Sequence, residues 1–242
     1  MAGGSVAFRV PQSARIEIKF SAAELHREEL AFWLRLHPAG FHAPFPPRWV
    51  NNLYFDTHDY GAYAENMCGA SSRTKVRYRW YGESRAPDAG ALEVKCKRNF
   101  FGWKLRFDVA EKPYRPGIDA RSLRRAVLQQ LPAAGREWLN ASPFPVLVNR
   151  YRRRYFLSAD HRIRVTLDTD QSVWDQRYKS TPNFSVRTVQ RPILVVEFKF
   201  DRRDRDIASR YMRGMPIRVS RHSKYVCGTS AIADSRTPQY FL

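Results

Sequence analysis

The residues best able to do chemistry in this sequence are cations set at every second position. The run Arg73-Thr74-Lys75-Val76-Arg77-Tyr78-Arg79-Trp80 puts Arg73, Lys75, Arg77 and Arg79 on one face of an extended segment, with Thr74, Val76, Tyr78 and Trp80 on the other. The same alternation opposes Arg15, Glu17 and Lys19 to Ile16, Ile18 and Phe20, and Glu93, Lys95 and Lys97 to Leu92, Val94 and Cys96. It returns with Lys104, Arg106 and Asp108 against Trp103, Leu105 and Phe107, and with Arg162, Arg164, Thr166 and Asp168 against Ile163, Val165 and Leu167. A last segment opposes Val195, Glu197 and Lys199 to Leu194, Val196, Phe198 and Phe200. Cations gathered in this way bind phosphate oxygens through charge-assisted bonds, with arginine able to bind bidentately. The carboxylates Glu17, Glu93, Asp168 and Glu197 would repel such a ligand unless each pairs with a cation or holds a divalent metal shared with the phosphate. Glu93 reads as an ion-pair partner, and Glu197 suits either role.

The whole chain shares the bias. Its 242 residues hold 42 Lys+Arg against 23 Asp+Glu, a net charge of +19, with 43% hydrophobic and 14% aromatic residues. That apolar content excludes a disordered basic tail and supplies a core for one large domain. The charge favours an anionic partner: nucleic acid, phosphorylated metabolites or anionic lipid. Cys68, Cys96 and Cys227 form no metal-binding or disulfide pattern. No signal peptide or membrane span is read, so the expected compartment is the cytoplasm.

Period-2 alternation predicts antiparallel strands. A sheet with one solvated face would produce it too, but like charges on neighbouring strands are destabilising. A sheet closed into a barrel, polar faces inward and apolar faces under helices, resolves the pattern. Candidate lumen cations are then Arg15, Lys19, Lys75, Arg77, Arg79, Lys95, Lys97 and Arg164. Covering helices are expected over Ser21 to about Leu36, opening on a Ser21/Glu24 capping box, over about Ala120 to Leu131, and over roughly Asp204 to Met212. Segments 38–47, 83–90, 112–118 and 140–145 read as loops, and Asp56 and Thr57 as turn formers after a strand. The expected fold is α+β, a closed antiparallel barrel with helices outside.

A family resemblance rests on eight motifs in order. They are Arg15-x-Glu17-x-Lys19, Val50-Asn51-Asn52-Leu53-Tyr54-Phe55-Asp56-Thr57, Val76-Arg77-Tyr78-Arg79-Trp80-Tyr81-Gly82 and Leu92-Glu93-Val94-Lys95, then Arg150-Tyr151-x-Arg153-x-Tyr155, Arg164-Val165-Thr166-Leu167-Asp168, Val196-Glu197-x-Lys199 and Ser223-Lys224-Tyr225. The set resembles the VTC polyphosphate polymerase domain, named for the vacuolar transporter chaperone complex, within the triphosphate tunnel metalloenzyme superfamily. The likeness covers residues 9–228, leaving 1–8 and 229–242 as tails.

The resemblance implies a tunnel of eight strands that binds triphosphate or polyphosphate. By motif, Lys19, Arg77, Arg79, Lys95, Arg153, Arg164 and Lys224 would bind phosphate, with Arg77, Arg79, Lys95, Arg164 and Lys224 nearest the chemistry. Ser223 would sit near the tunnel's end, Arg221 would supply a further cation three residues before Lys224, and alternation adds Lys75, Lys97 and Lys199 to the substrate-binding set. Glu197 would hold Mn2+ or Mg2+. The implied reaction is polyphosphate synthesis from ATP; hydrolysis of triphosphate, or non-catalytic binding of polyphosphate or nucleic acid, stays open. Arg15 stands where many tunnel hydrolases begin E-x-E-x-K, which favours the polymerase branch. Nucleic acid is expected to bind weakly if at all, and a membrane-protein partner would not be visible in the sequence. Of the run Arg150–Arg154, Arg153 is expected to face inward, and His222 is expected at the surface.

Overall fold

The computed structural model describes residues 9–234, so the predicted tail 1–8 and the end of the predicted tail 229–242 lie outside the described residues. The described residues form eight strands: β1 (Arg15–Ala23), β2 (Arg48–Asp56), β3 (Ser72–Tyr81), β4 (Gly90–Arg98), β5 (Phe101–Val109), β6 (Phe144–Leu157), β7 (Arg164–Asp175) and β8 (Ile193–Phe200). They pair antiparallel in the order β1-β5-β4-β3-β2-β6-β7-β8 and close into a barrel. Around it lie α1 (Arg27–Leu36), α2 (Gly61–Met67), α3 (Ala120–Gln129), α4 (Ala133–Ala141), α5 (Arg205–Tyr211) and α6 (Lys224–Asp234).

The apolar half of each alternating strand faces outward, so the hydrophobic core lies between barrel and helices. Val76, Tyr78 and Trp80 of β3 and Leu92, Val94 and Cys96 of β4 pack under Leu123 and Val127 of α3 and Leu139 of α4. Across the barrel, Phe20 of β1, Val165 and Leu167 of β7, and Val196, Phe198 and Phe200 of β8 pack under Leu30, Ala31 and Leu34 of α1 and Ala208 of α5. Each large side chain so buried contributes about 1.5–3 kcal/mol. Helix α3 starts at Asp119, whose carboxylate accepts the backbone N–H groups of Arg121 and Ser122 at 2.9 Å.

Helices α2 and α4 lie where no helix was expected, and three further elements differ from expectation. Ser21 caps no helix: β1 runs on to Ala23, and the side chain meets the Ser220 hydroxyl at 2.7 Å. The backbone therefore turns helical only after Ala23, through a short 3-10 turn at Glu24–His26. The segment read as a loop at 140–145 is divided between the end of α4 and the start of β6. Helix α6 continues through Asp234, past the residue 228 at which the resemblance ends. It is docked by Tyr225, which joins Tyr54, Val146, Leu147, Val173 and Ile232 in a third cluster and donates to Asp56 at 2.5 Å. Asp56 also accepts the backbone N–H groups of Thr57, Ala62 and Tyr63, so one buried carboxylate ends β2, starts α2 and holds α6.

Closure has one weak seam. Strands β1 and β5 meet only at Arg15–Gly102 and Ile16–Phe101. Beyond that point the edge of β1 is taken by Val219 and Ser220, with Phe20 bridged to Val219 and Ser220 N–H donating to the Lys19 carbonyl at 2.9 Å. The chain between α5 and α6 thus completes the wall and leads α6 into the barrel's end.

Gly90 opens β4 opposite Trp80, where a Cβ would collide with the Arg79 carbonyl. Gly90→Ala is expected to cost about 1–3 kcal/mol in chemical denaturation, as overpacking of a fixed backbone does. An unchanged midpoint would mean that this turn yields without loss.

Candidate functional site: a cation-lined lumen

Contacts between strands that are not neighbours show which side chains meet inside the barrel. Lys95 of β4 reaches Glu17 of β1 at 2.8 Å and Glu197 of β8 at 4.0 Å. Arg79 of β3 donates to the Tyr151 hydroxyl of β6 at 3.1 Å, and Arg153 of β6 lies 4.0 Å from Glu197. The lumen is therefore a single electrostatic unit.

Three carboxylate stations organise it. Glu93 is fully buried and takes Arg77 and Lys104 at 2.7 Å each, with Arg79 at 3.5 Å and Arg106 at 3.8 Å. Asp168, also fully buried, accepts two bonds from Arg153 at 2.6 and 2.7 Å and a third from Lys224 at 2.6 Å. Glu197 and Glu17 stand together among Lys19, Lys95 and Lys199, with Lys199 3.4 Å from Glu197 and 3.6 Å from Glu17. Burial alone would raise all four carboxyls, and the neighbouring cations outweigh it, holding each below its ordinary range.

The cations exceed what these groups can neutralise. Burial, then Lys95, Lys19, Arg73 and Arg77, push the Lys75 ammonium down to about 6. Among the described residues no carboxylate pairs with it; its amine meets the Ser223 hydroxyl at 2.9 Å. Burial would raise the Tyr151 phenol, but Arg153 and Arg79 bring it to about 8. His222 is not a surface residue: its Nε2 is buried, and desolvation with Lys224 and Lys19 nearby lowers the imidazole to about 3. Its backbone carbonyl accepts from Lys19 at 3.1 Å, because the segment completing the wall turns inward here.

The predicted site residues fall into three places. Lys19, Lys75, Arg77, Arg79, Lys95, Arg153, Lys199, Ser223, Lys224 and Glu197 come together in the lumen. Lys97 is half-buried and faces Arg73, with burial and that neighbour lowering its ammonium. Arg164 and Arg15, the first residues of β7 and β1, are exposed at one mouth, where burial and Arg15 lower the Arg164 guanidinium; Arg221 is exposed before α6. In the arginine run, Arg153 faces inward. Arg150 lies outside over the Trp49 ring at 4.0 Å with Glu83 at 2.9 Å, Arg154 pairs with Glu28 at 3.1 Å, and Arg152 is exposed.

Several members were not singled out by sequence. Tyr151 shares the parity of Arg153, which was the available signal. Asn52, which receives Arg79 at 2.8 Å, and Lys104 and Arg106 share the alternation of their own strands.

Glu197 and Glu17 offer the hard oxygen donors that Mg2+ or Mn2+ prefers, and among the described residues the buried Glu197 Oε1 has no hydrogen-bond partner, with Lys19 and Lys95 at 3.6 and 4.0 Å. Among the described residues no group of three or more His, Cys, Asp or Glu is placed to hold a metal. The residues fit a cation bound by one or two carboxylates and completed by phosphate oxygens and water.

Two outcomes follow from these ion pairs. Asp168→Asn leaves Arg153 and Lys224 buried against a neutral amide, and urea titration is expected to show a loss of about 3–5 kcal/mol; a loss under about 1 kcal/mol would contradict the buried-pair assignment. Between about 6 and its ordinary 10.5, Lys75 is neutral when folded and charged when unfolded, so unfolding takes up a proton and its contribution to stability rises with pH. Lys75→Met should therefore flatten the dependence of Tm on pH across that window and raise Tm most at its acid end. Parallel curves for parent and variant would contradict it.

Comparison with known proteins gives the fold its relatives. HpAC1 of Hippeastrum, assigned as an adenylyl cyclase and described with a dominant triphosphatase activity, superposes with a TM-score of 0.52 at 14% identity, over 90% of this chain and 95% of that one. The PH1819 protein of Pyrococcus horikoshii OT3 gives 0.46 at 10% identity, over 92% and 99% of the two chains. A Vibrio parahaemolyticus protein assigned as an adenylate cyclase gives 0.46 at 8%, over 90% and 98%. No curated protein matches the sequence. The VTC domain family matches residues 47–233, from the start of β2 nearly to the end of α6. With most of its length and the whole cation-lined barrel wall from β2 to β8 inside that match, the chain belongs to the VTC domain family.

Proposed function

We propose that this barrel binds triphosphate and polyphosphate in its lumen and transfers phosphoryl groups from ATP to a polyphosphate chain. The observation that carries this reading is the convergence of lysines and arginines from six elements on four lumen carboxylates, an excess of positive charge built for an anion that the chain itself does not supply. Phosphoryl transfer asks little covalent chemistry of a protein, so positioning and charge stabilisation carry the rate. Arg77, Arg79, Arg153 and Lys224, fixed by Glu93 and Asp168, would grip the phosphate oxygens along the tunnel. Lys19, Lys95 and Lys199 would receive those nearest Glu197, and Arg164 at the mouth would steer the incoming anion. Glu197, with Glu17 beside it, would hold Mn2+ or Mg2+, which would supply charge neutralisation to the bound phosphates.

The triphosphatase activity described for the Hippeastrum protein favours a second reading, in which water takes the acceptor's place. Incubation with ATP and Mn2+ separates the two: acid-insoluble polyphosphate supports synthesis, and orthophosphate alone supports hydrolysis. A nucleic-acid module predicts neither product, and labelled DNA that resists displacement by tripolyphosphate. Glu197→Gln is expected to lower turnover by about 100-fold while tripolyphosphate still binds. Full turnover in that variant would remove Glu197 from the metal site.

A further inference from the structure

Ser223 is held where the lumen's cations converge. Its Oγ lies 2.9 Å from Lys75 Nζ. The preceding carbonyl, of His222, accepts from Lys19 at 3.1 Å, and the following side chain, Lys224, reaches Asp168 at 2.6 Å. The hydroxyl is thereby fixed on both sides, at the start of an eleven-residue helix whose positive end favours a developing anion. Val226 N–H approaches the same Oγ at 3.4 Å, and Cys227 N–H donates to the Ser223 carbonyl at 2.9 Å. Phosphate binding alone does not require a lysine set against a serine with no carboxylate to keep it charged. A hydroxyl with an amine at hydrogen-bond distance is instead the arrangement of an activated nucleophile.

We propose that Ser223 is a phosphoryl acceptor, becoming phosphoserine by attack on the terminal phosphorus of a triphosphate bound in the tunnel, with Lys75 taking the proton. The Oγ–P bond forms as the bond from that phosphorus to its bridging oxygen breaks. The electron pair leaves with the bridging oxygen, as pyrophosphate from tripolyphosphate or as ADP from ATP, and the hydroxyl proton goes to Lys75 Nζ. The Lys75 amine stands 2.9 Å from Oγ to take the proton, and the new ammonium is stabilised beside the phosphate ester. The proposal rests on the reading of the lumen as a triphosphate site and adds a covalent step within it.

The purified chain is incubated with tripolyphosphate or γ-labelled ATP and Mn2+, quenched in denaturant, and weighed intact before peptide mapping. The expected result is one added phosphoryl group on Ser223, absent in Ser223→Ala. Lys75→Met should slow the labelling by about 100-fold or more, as loss of a general base does. Thermal melts check that each variant is folded, and calorimetry with tripolyphosphate normalises its labelling to the fraction of protein that binds. An unmodified Ser223 in a parent protein that binds tripolyphosphate overturns the acceptor role and leaves the tunnel reading intact. Label persisting in Ser223→Ala also overturns it. A folded parent that does not bind tripolyphosphate overturns both.

Discussion

Like-charge repulsion in a confined space is the constraint on which the rest of this structure depends. The lumen gathers lysines and arginines from β1, β3, β4, β6, β8 and α6 around very few carboxylates. Glu93, Asp168 and the Glu17–Glu197 pair each serve several cations drawn from different elements. A carboxylate shared in this way pins guanidinium and ammonium groups in fixed positions without neutralising the whole. What remains is a rigid excess of positive charge, preorganised for an anion and held there against its own repulsion.

Such an interior contributes little to stability, since buried ion pairs roughly break even against desolvation. The fold is therefore stabilised from outside. The clusters under α3 and α4 and under α1 and α5 do what a central core does elsewhere, leaving the barrel interior free for charge. Asp56 carries the same division into the end of the barrel, where one carboxylate serves β2, α2 and Tyr225 of α6. The position of Ser223 and Lys224 thus depends on packing at the barrel's end, where Tyr225 stacks on Tyr54, as well as on Lys224 reaching Asp168.

The barrel was legible in the sequence because charged and apolar residues alternate over long stretches of β1, β3, β4, β5 and β8. Legibility failed where the chain departs from that rhythm. In β7 the pairing slips by one residue opposite Arg150–Arg152, with Asp170 in the left-handed region at φ 53°, so the alternation read to Asp168 stops although the strand runs to Asp175. Ser21 and Glu24 have the spacing of a helix cap, but Ser21 is held in β1 by its pairing with β8, a tertiary contact no local pattern encodes. Helix α6 carries no strong apolar stripe, and its place is set by Tyr225 and by Lys224 reaching Asp168. His222 has no local sign of burial; the inward turn of the segment after Ser220 decides it. In the site, charge was visible and its uncharged partners Tyr151 and Asn52 were not, because a neutral polar side chain looks alike on either face of a strand.

The short seam between β1 and β5 bears on the order of events during synthesis. The first strand of the barrel waits for β8 as its full-length neighbour, and its other edge is covered by residues that follow α5. Strands β2 to β5 can assemble as consecutive partners early, whereas β1 has no long-lived place until more than half the chain has followed it. Pairings so distant in sequence form slowly and leave an edge exposed meanwhile. The segment that completes the wall is the one that delivers Ser223 and Lys224 into the lumen, so the cation-lined tunnel is complete only with those residues in place.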